Sequence, residues 1–383
     1  MPYKVPFYKQ SRIKRLSTID SDNFNEAIKD ATKKLENKFV NVCHKKYALS
    51  VNNPSSAIHM SMCAIDLKRG DKVICAINTY VDIPEAIRHF DSEPVFVDIE
   101  PRSYHINIES LKEAIVANKS KKLRAIVVNH FAGLKVNLAP IIELAKENNL
   151  YVIEDFSNTP VLENSINIDS DIAIFSLNFR LENTLKGAML TFKDEKIYSR
   201  AKLLREHGIV RPNEDVNYIY DVLDIGCDYR LDELSAYLLD GFLEDRKELV
   251  ERKKEIANIY FQELKDTKHI TLPIEDKNHL YSYFIIEIDK NRDHFARELK
   301  KRGIEVGLQY IPLNFTTYYK QKYKLKVTSF PNALSAFQKV MSLPCNGKMS
   351  KEDALYVCQQ IKEVAKNHIW EAILRGYILT QKG

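Results

Sequence analysis

Six cysteines are spread over 383 residues, and none of them forms a CxxC pair. Cys43, Cys63, Cys75, Cys227, Cys345 and Cys358 also stand at no metal-ligand spacing from a histidine. That excludes a cysteine-based metal motif and a disulfide framework. It leaves reduced, mostly buried thiols, the usage of a cytoplasmic protein. Met1 to Gln10 has no apolar signal core, and no uninterrupted apolar run reaches membrane-spanning length. No internal repeat and no low-complexity linker interrupts the chain. Charge of one sign is scarce as well. The net +5 comes from 57 basic and 52 acidic side chains spread along the chain, which reads as a solvated surface. The Lys-rich stretches near Lys119–Lys122 and Arg246–Lys254 look like a loop and a helix face. They lack the arginine-aromatic character of a nucleic-acid surface, so neither nucleic acid nor membrane is an expected partner.

What is present is an ordinary globular balance, 45% hydrophobic and 28% charged, on a chain long enough for two domains. From Phe24 to Cys43 a helix leads into the apolar strand Tyr47–Val51. Strands and helices then alternate: strands over 72–76, 94–98, 125–128 and 151–154, helices over 84–90, 108–118 and 138–148. Short apolar runs separated by helical patterns predict a largely parallel sheet covered on both faces. A long helical region follows, Arg230 to Leu264, charged on one face. Beyond it the spacing predicts strands over 282–288 and 306–310 and helices over 292–302 and 351–366, with an extra tail, Trp370 to Gly383. The expected division is a large α/β domain, residues 1–245, and a small α+β domain, residues 246–383.

In an open α/β sheet, ligands bind beyond the carboxyl ends of the strands. Three segments reach that place. Asn52–His59 joins a strand to a helix, and its backbone N–H groups with Ser55 and Ser56 suit a phosphate at a helix start. Glu154–Asn158 puts Asp155 at a strand end, where a carboxylate can hold a ring nitrogen protonated or simply cap the next turn. Ser176, in Phe175–Asn178, is a phosphate contact or a turn hydroxyl. Tyr80 is a ligand-facing aromatic or plain packing. His207 closes a helix end before Gly208. His44, His59, His89, His105 and His130 show no metal spacing and read as satisfied structural histidines.

Taken in order, these segments resemble the DegT/DnrJ/EryC1/StrS family, sugar aminotransferases of fold type I, through nearly the whole chain. Lys68–Ile74, Pro94–Ile99, Arg205–Gly208, Asp228–Ala236 and Ser342–Pro344 add to the match. The resemblance implies a homodimer and the cofactor pyridoxal phosphate. It implies a nucleotide-linked keto sugar as substrate, usually glutamate as amino donor, and a place in surface-glycan or related biosynthesis. By position it puts Tyr80 on the pyridine ring, Asp155 at the pyridine nitrogen, Asn158 at the 3-hydroxyl and Ser176 at the phosphate. Asp228 falls where the partner subunit supplies an Asn to the phosphate.

The chain departs from that pattern at three points. The family lysine lies five residues beyond the serine; here that residue is Leu181, preceded by Arg180. The nearest downstream lysine is Lys186, read either as a surface lysine or as a displaced Schiff-base residue. With Gly187–Thr191 as the following strand, the loop is about two residues shorter than the pattern. Certain relatives carry a histidine there and act as dehydratases, but no histidine stands here. The lysine matters because it forms the resting Schiff base and moves a proton as a free amine. Arginine cannot, since its guanidinium stays protonated. Asn53-Pro54-Ser55 replaces the usual Ser-Gly-Thr, and proline has no N–H to give. Asp228 sets a negative charge where a neutral amide is usual. Two readings follow: a sugar aminotransferase or variant with a rearranged lysine, or a degenerate homologue. The latter would bind a sugar nucleotide, or pair with an active aminotransferase paralogue, without transamination.

Overall fold

A computed structural model of the chain describes residues 3–8, 23–160, 169–177, 185–212 and 218–380, with the side chains of 242 and 367–380 outside the description. Two helices, α1 (Phe24–Ile28) and α2 (Ala31–Val42), precede β1 (Tyr47–Val51). The expected single helix over 24–43 is broken because Asp30 takes a left-handed backbone, φ 55°, between them. The alternating part runs α3 (Pro54–Ala64), β2 (Lys72–Ala76), α4 (Asp82–His89), β3 (Glu93–Val97), α5 (Ile108–Ala117), β4 (Leu123–Asn129), α6 (Ala139–Glu147), β5 (Tyr151–Phe156), β6 (Ile172–Ser176), β7 (Ala188–Phe192) and α7 (Glu195–Leu204). A short hairpin, β8 (Ile209–Val210) with β9 (Asp221–Val222), leads to α8 (Glu233–Leu264).

The main sheet has seven strands in the order β1-β7-β6-β5-β4-β2-β3. Only β7 runs against its neighbours, so the other six strands share one direction and end at one edge. Both faces are covered, as the unbroken apolar strands require. One face packs Ile58, Met62 and Ile87 against Leu190 and Phe192. The other packs Leu111, Ile115 and Ile141 against Ile126 and Val152.

The C-terminal part comprises β10 (Ile270–Thr271), β11 (Phe284–Ile288), α9 (Arg292–Lys301), α10 (Thr317–Lys322), α11 (Pro331–Lys339), β12 (Val340–Leu343) and α12 (Lys351–Thr380). β10, β11 and β12 form a three-stranded antiparallel sheet. Helix α8 passes through residue 245 without a break. Its first half (Ala236, Leu239, Leu243) packs with Phe156 and Phe175, and its second half (Ile256, Tyr260, Leu264) with Phe284 and Ile361. The expected strand over 306–310 is reduced to one bridge, Gly307 with Ser342. After that pair the chain turns to the main sheet, where the Leu313 N–H donates to Ile77 O at 3.0 Å. The closing helix continues through Thr380 and takes in most of the tail.

Candidate functional site

Because six strands end at one edge, the first turn of α3, the loop 77–81 after β2, and the ends of β4, β5 and β6 come out together. Asp155 lies there, only 3% exposed. In the parallel register it stands opposite Asn129 of β4. Asn129 Nδ2 donates to Asp155 Oδ2 at 2.6 Å, and the Ser157 N–H donates to Oδ1 at 2.8 Å. Neither Asn129 Oδ1 nor the Ser157 hydroxyl has a partner, although both atoms are buried. Glu154, one residue earlier, points to the opposite face as strand alternation demands. There it accepts from His130 Nε2 at 3.0 Å, both side chains fully buried. His130 Nδ1 accepts the Val136 N–H at 3.1 Å, which fixes the tautomer with its proton on Nε2. The ring also stacks on Phe156 at 3.9 Å. His130 is thus a structural histidine with both nitrogens bonded.

The phosphate-loop candidates sit at the start of α3. Asn53 is the N-cap, its Oδ1 accepting the Ser56 N–H at 2.9 Å, while the Ala57 N–H goes to Asn53 O at 3.1 Å. Pro54 occupies the first helical position, where a missing N–H and a fixed φ suit the helix. Ser56 is buried and Ser55 exposed. The Ser55 Oγ contacts Asp82 Oδ2 at 3.4 Å. Asp82 opens α4, and burial, then the charge of Asp155, push its carboxyl up to about 7. Ser176 ends β6, half-buried.

Tyr80 is 53% exposed, its ring 5.6 Å from that of Tyr310, which in turn meets Phe131 edge-on at 6.0 Å. Asn158 is half-buried in the turn after β5. Asp228 lies on the exposed segment after the β8–β9 hairpin. Arg230 grips it through two bonds of 2.8 and 2.9 Å, and those bonds hold its carboxyl at about 2. In the stretch that precedes it, Tyr218, Leu223 and Ile225 are exposed, Ile225 at 92%. Lys186 is exposed, immediately before Gly187. A Cβ at Gly187 would come within 2.5 Å of a Leu239 methyl, so that side chain would have to shift. Asn178, Arg180 and Leu181 lie outside the described residues.

A profile of the DegT/DnrJ/EryC1/StrS aminotransferase family matches residues 8–362. The chain belongs to that family. It is 30% identical over 355 residues to the protein MJ1066 of Methanocaldococcus jannaschii, covering 88% of this chain and 90% of that one. It is 27% identical to the GDP-perosamine synthase of Escherichia coli O157:H7, over 86% of this chain and 89% of that one. Among solved structures, the putative sugar aminotransferase Spr1654 of Streptococcus pneumoniae in its apo-form superposes with a TM-score of 0.84 at 20% identity. That match covers 97% of this chain and 99% of the other. The fold is that of the fold type I, pyridoxal-phosphate-dependent aminotransferases.

Sequence reasoning missed Asn129, Asp82 and Tyr310. Asn129 is the last residue of an apolar strand, and the polar end of such a run is a legible signal. Asp82 resembles any acidic residue in a first helical turn, where it complements the helix dipole. Tyr310 reaches the cleft only through tertiary folding.

Proposed function

We propose that this cleft binds a pyridoxal-phosphate-type ring and a nucleotide-linked keto sugar, in the service of surface-glycan or related biosynthesis. The observation that carries the reading is the buried carboxylate of Asp155, held by Asn129 and the Ser157 N–H at the strand-end edge. The residues present fit the cofactor at that end, where buried polar atoms of Asn129 and Ser157 also lack partners. Asp155 would pair with the ring nitrogen, Tyr80 cover the ring, Asn158 meet the 3-hydroxyl, and Ser55, Ser56 and Ser176 take the phosphate. When bound, the cofactor supplies an electron sink for bonds to the substrate carbon. Asp155 strengthens that role by holding the ring nitrogen protonated. The names of two relatives, a GDP-perosamine synthase and a dTDP-3-amino-3,6-dideoxy-alpha-D-galactopyranose transaminase, support a nucleotide sugar as ligand.

A second reading has its own support: a homologue that binds without transaminating. Leu181 stands where the Schiff-base lysine belongs, and Lys186 is exposed. Ser56 has already committed its N–H to Asn53, and Pro54 has none. Each lost charge-assisted phosphate bond weakens binding by about 1.5–3 kcal/mol. Purified protein is then colourless, and added cofactor binds weakly. Tight, stoichiometric yellow protein whose absorbance borohydride fixes onto a lysine would restore the ordinary transaminase. The exposed apolar residues beside Asp228 support a homodimer, or pairing with an active paralogue, with the cleft at the interface. A monomer by light scattering at micromolar concentration would remove that part.

A further inference from the structure

Asn314 is the middle residue of a 3₁₀ turn, Leu313–Phe315, and is fully buried. Neither its Oδ1 nor its Nδ2 has a hydrogen-bond partner among the described residues. Exchanging the two amide atoms does not help, because both are orphaned. The Leu313 N–H donates to Ile77 O at 3.0 Å, which joins this turn to the loop 77–81. Ile77, Leu313 and Tyr319 pack in one apolar cluster, with Tyr310 at its margin. At that junction three more buried polar atoms lack partners among the described residues: Asn78 Oδ1, Thr79 Oγ1 and the Tyr319 hydroxyl. Their residues are 7%, 2% and 3% exposed. The same two segments carry the aromatic wall of the cleft. Tyr80 follows Thr79, Tyr310 precedes the turn, and their rings stand 5.6 Å apart.

We propose that Asn314 binds ordered water buried between this turn and the loop 77–81, and that through this water it positions Tyr80 against Tyr310. The chemistry of the orphaned atoms selects the ligand. Asn314 offers both a donor and an acceptor, Asn78 Oδ1 only accepts, and the two hydroxyls do either. An anion would satisfy the donors alone and a cation the acceptors alone, and each would lose its hydration on entering. Water gives and takes at once, and a buried water bonds about three such groups. A partner subunit cannot supply the missing bonds, since Asn314 has no exposed surface to meet it. Without water, two orphaned atoms sealed from solvent would only destabilise, and a leucine of nearly the same shape would suit the fold better. Asn314 is a positioning residue: it acts on the cleft through the loop that carries Tyr80. That last step rests on the ligand cleft proposed above.

A high-resolution crystal structure of the unliganded protein tests the site directly. It should show water within hydrogen-bond distance of Asn314 Oδ1 or Nδ2 and also of Asn78, Thr79 or Tyr319. Water that meets Asn314 without bridging to one of these, or no water at all, would overturn the proposal. Hydrogen exchange of Asn314→Leu tests the positioning. Leucine cannot hold the water, so amides in peptides covering 77–81 and 310–316 should exchange about tenfold faster, while those of β4 and β5 keep wild-type rates. Unchanged exchange, or acceleration spread evenly over the sheet, would refute it. The melting temperature of Asn314→Leu should fall; a rise would mean that the amide was orphaned and dry. Should that variant fold poorly, Thr79→Val removes one hydroxyl at constant shape and should give the same local pattern at smaller size. By calorimetry, Asn314→Leu should bind pyridoxamine 5′-phosphate about threefold to tenfold more weakly than wild type. Equal affinity would sink the effect on Tyr80. If wild type binds none, the cleft reading falls, while the water and the exchange rates still decide on Asn314.

Discussion

The two ends of the cleft differ in how they are built. At the proposed ring-nitrogen end, Asp155 sits in the middle of a seven-stranded sheet, bonded across the register to Asn129 and backed by the buried His130–Glu154 pair. At the proposed phosphate end, the groups come from a helix start and an exposed segment. There Pro54 has no N–H, the Ser56 N–H is taken, and Asp228 is tied to Arg230. The first end is fixed by the same packing that holds the sheet, so changing it costs stability. The second is set by a helix start and an exposed ion pair, both outside the sheet.

The largest expected effect breaks the interior end. His130→Ala leaves the buried Glu154 with only the Ser170 N–H at 3.4 Å and removes the stack on Phe156. The lost buried ring and hydrogen bond should destabilise the protein by about 2–5 kcal/mol, measured by denaturant unfolding. A loss well below that would mean that the two ends are equally tolerant. Next is Asp155→Asn. The side chain stays, but the charge that would meet a ring nitrogen goes, so pyridoxamine phosphate should bind about tenfold to a hundredfold more weakly by calorimetry. Unchanged affinity would show that the preserved end takes no part in binding.

A smaller change sharpens the rim. Asp228→Asn removes a negative charge from the segment that the family resemblance sets at the partner subunit's phosphate site, and in the proposed dimer it should tighten inorganic phosphate or pyridoxamine phosphate a few-fold in a competition assay. Arg230 holds the Asp228 carboxyl at about 2, so the aspartate is charged at every ordinary pH. Its folded value lies below the unfolded one, so it titrates only in strong acid. The gain from Asp228→Asn should accordingly be the same at mildly acid and mildly alkaline pH. A gain that vanishes at lower pH would assign the effect to another group.

The contrast between the ends also explains what was legible in the sequence. Alternating apolar strands and helices announced the parallel sheet, and Glu154–Asp155 at a strand end marked the cleft, because burial writes itself into residue type. The strand expected over 306–310 failed for a tertiary reason: Gly307 pairs once with Ser342 and the chain is then drawn to Ile77. Strand β12 and helix α11 were missed because each is short and leans on neighbours distant in sequence. Tyr310 and Asp82 were invisible as site residues because their roles depend on which loops meet. In Pro54, the missing N–H was plain from sequence, but its place at the first helical position, where the fold accepts it, was not.

The smallest expected effect concerns Lys186. A Schiff-base lysine must bring a neutral amine to the ring, so it is usually desolvated or set beside another cation that lowers its affinity for a proton. Lys186 is exposed, next to a glycine packed tightly on Leu239, which pins the backbone there to the strand start. Lys186→Ala should then leave pyridoxamine phosphate affinity, the absorption spectrum and thermal stability unchanged. Borohydride treatment after adding pyridoxal phosphate should label Lys186 no more than other surface lysines, as read by peptide mass mapping. Selective labelling of Lys186, lost in Lys186→Ala along with a visible band, would make it the displaced catalytic lysine. Leu181→Lys supplies the complementary arm. It returns a lysine five residues beyond Ser176 but leaves the shortened loop, Pro54 and Asp228 as they are, so it should fall short of full aminotransferase activity. Full recovery would show that the rim had drifted at one residue alone.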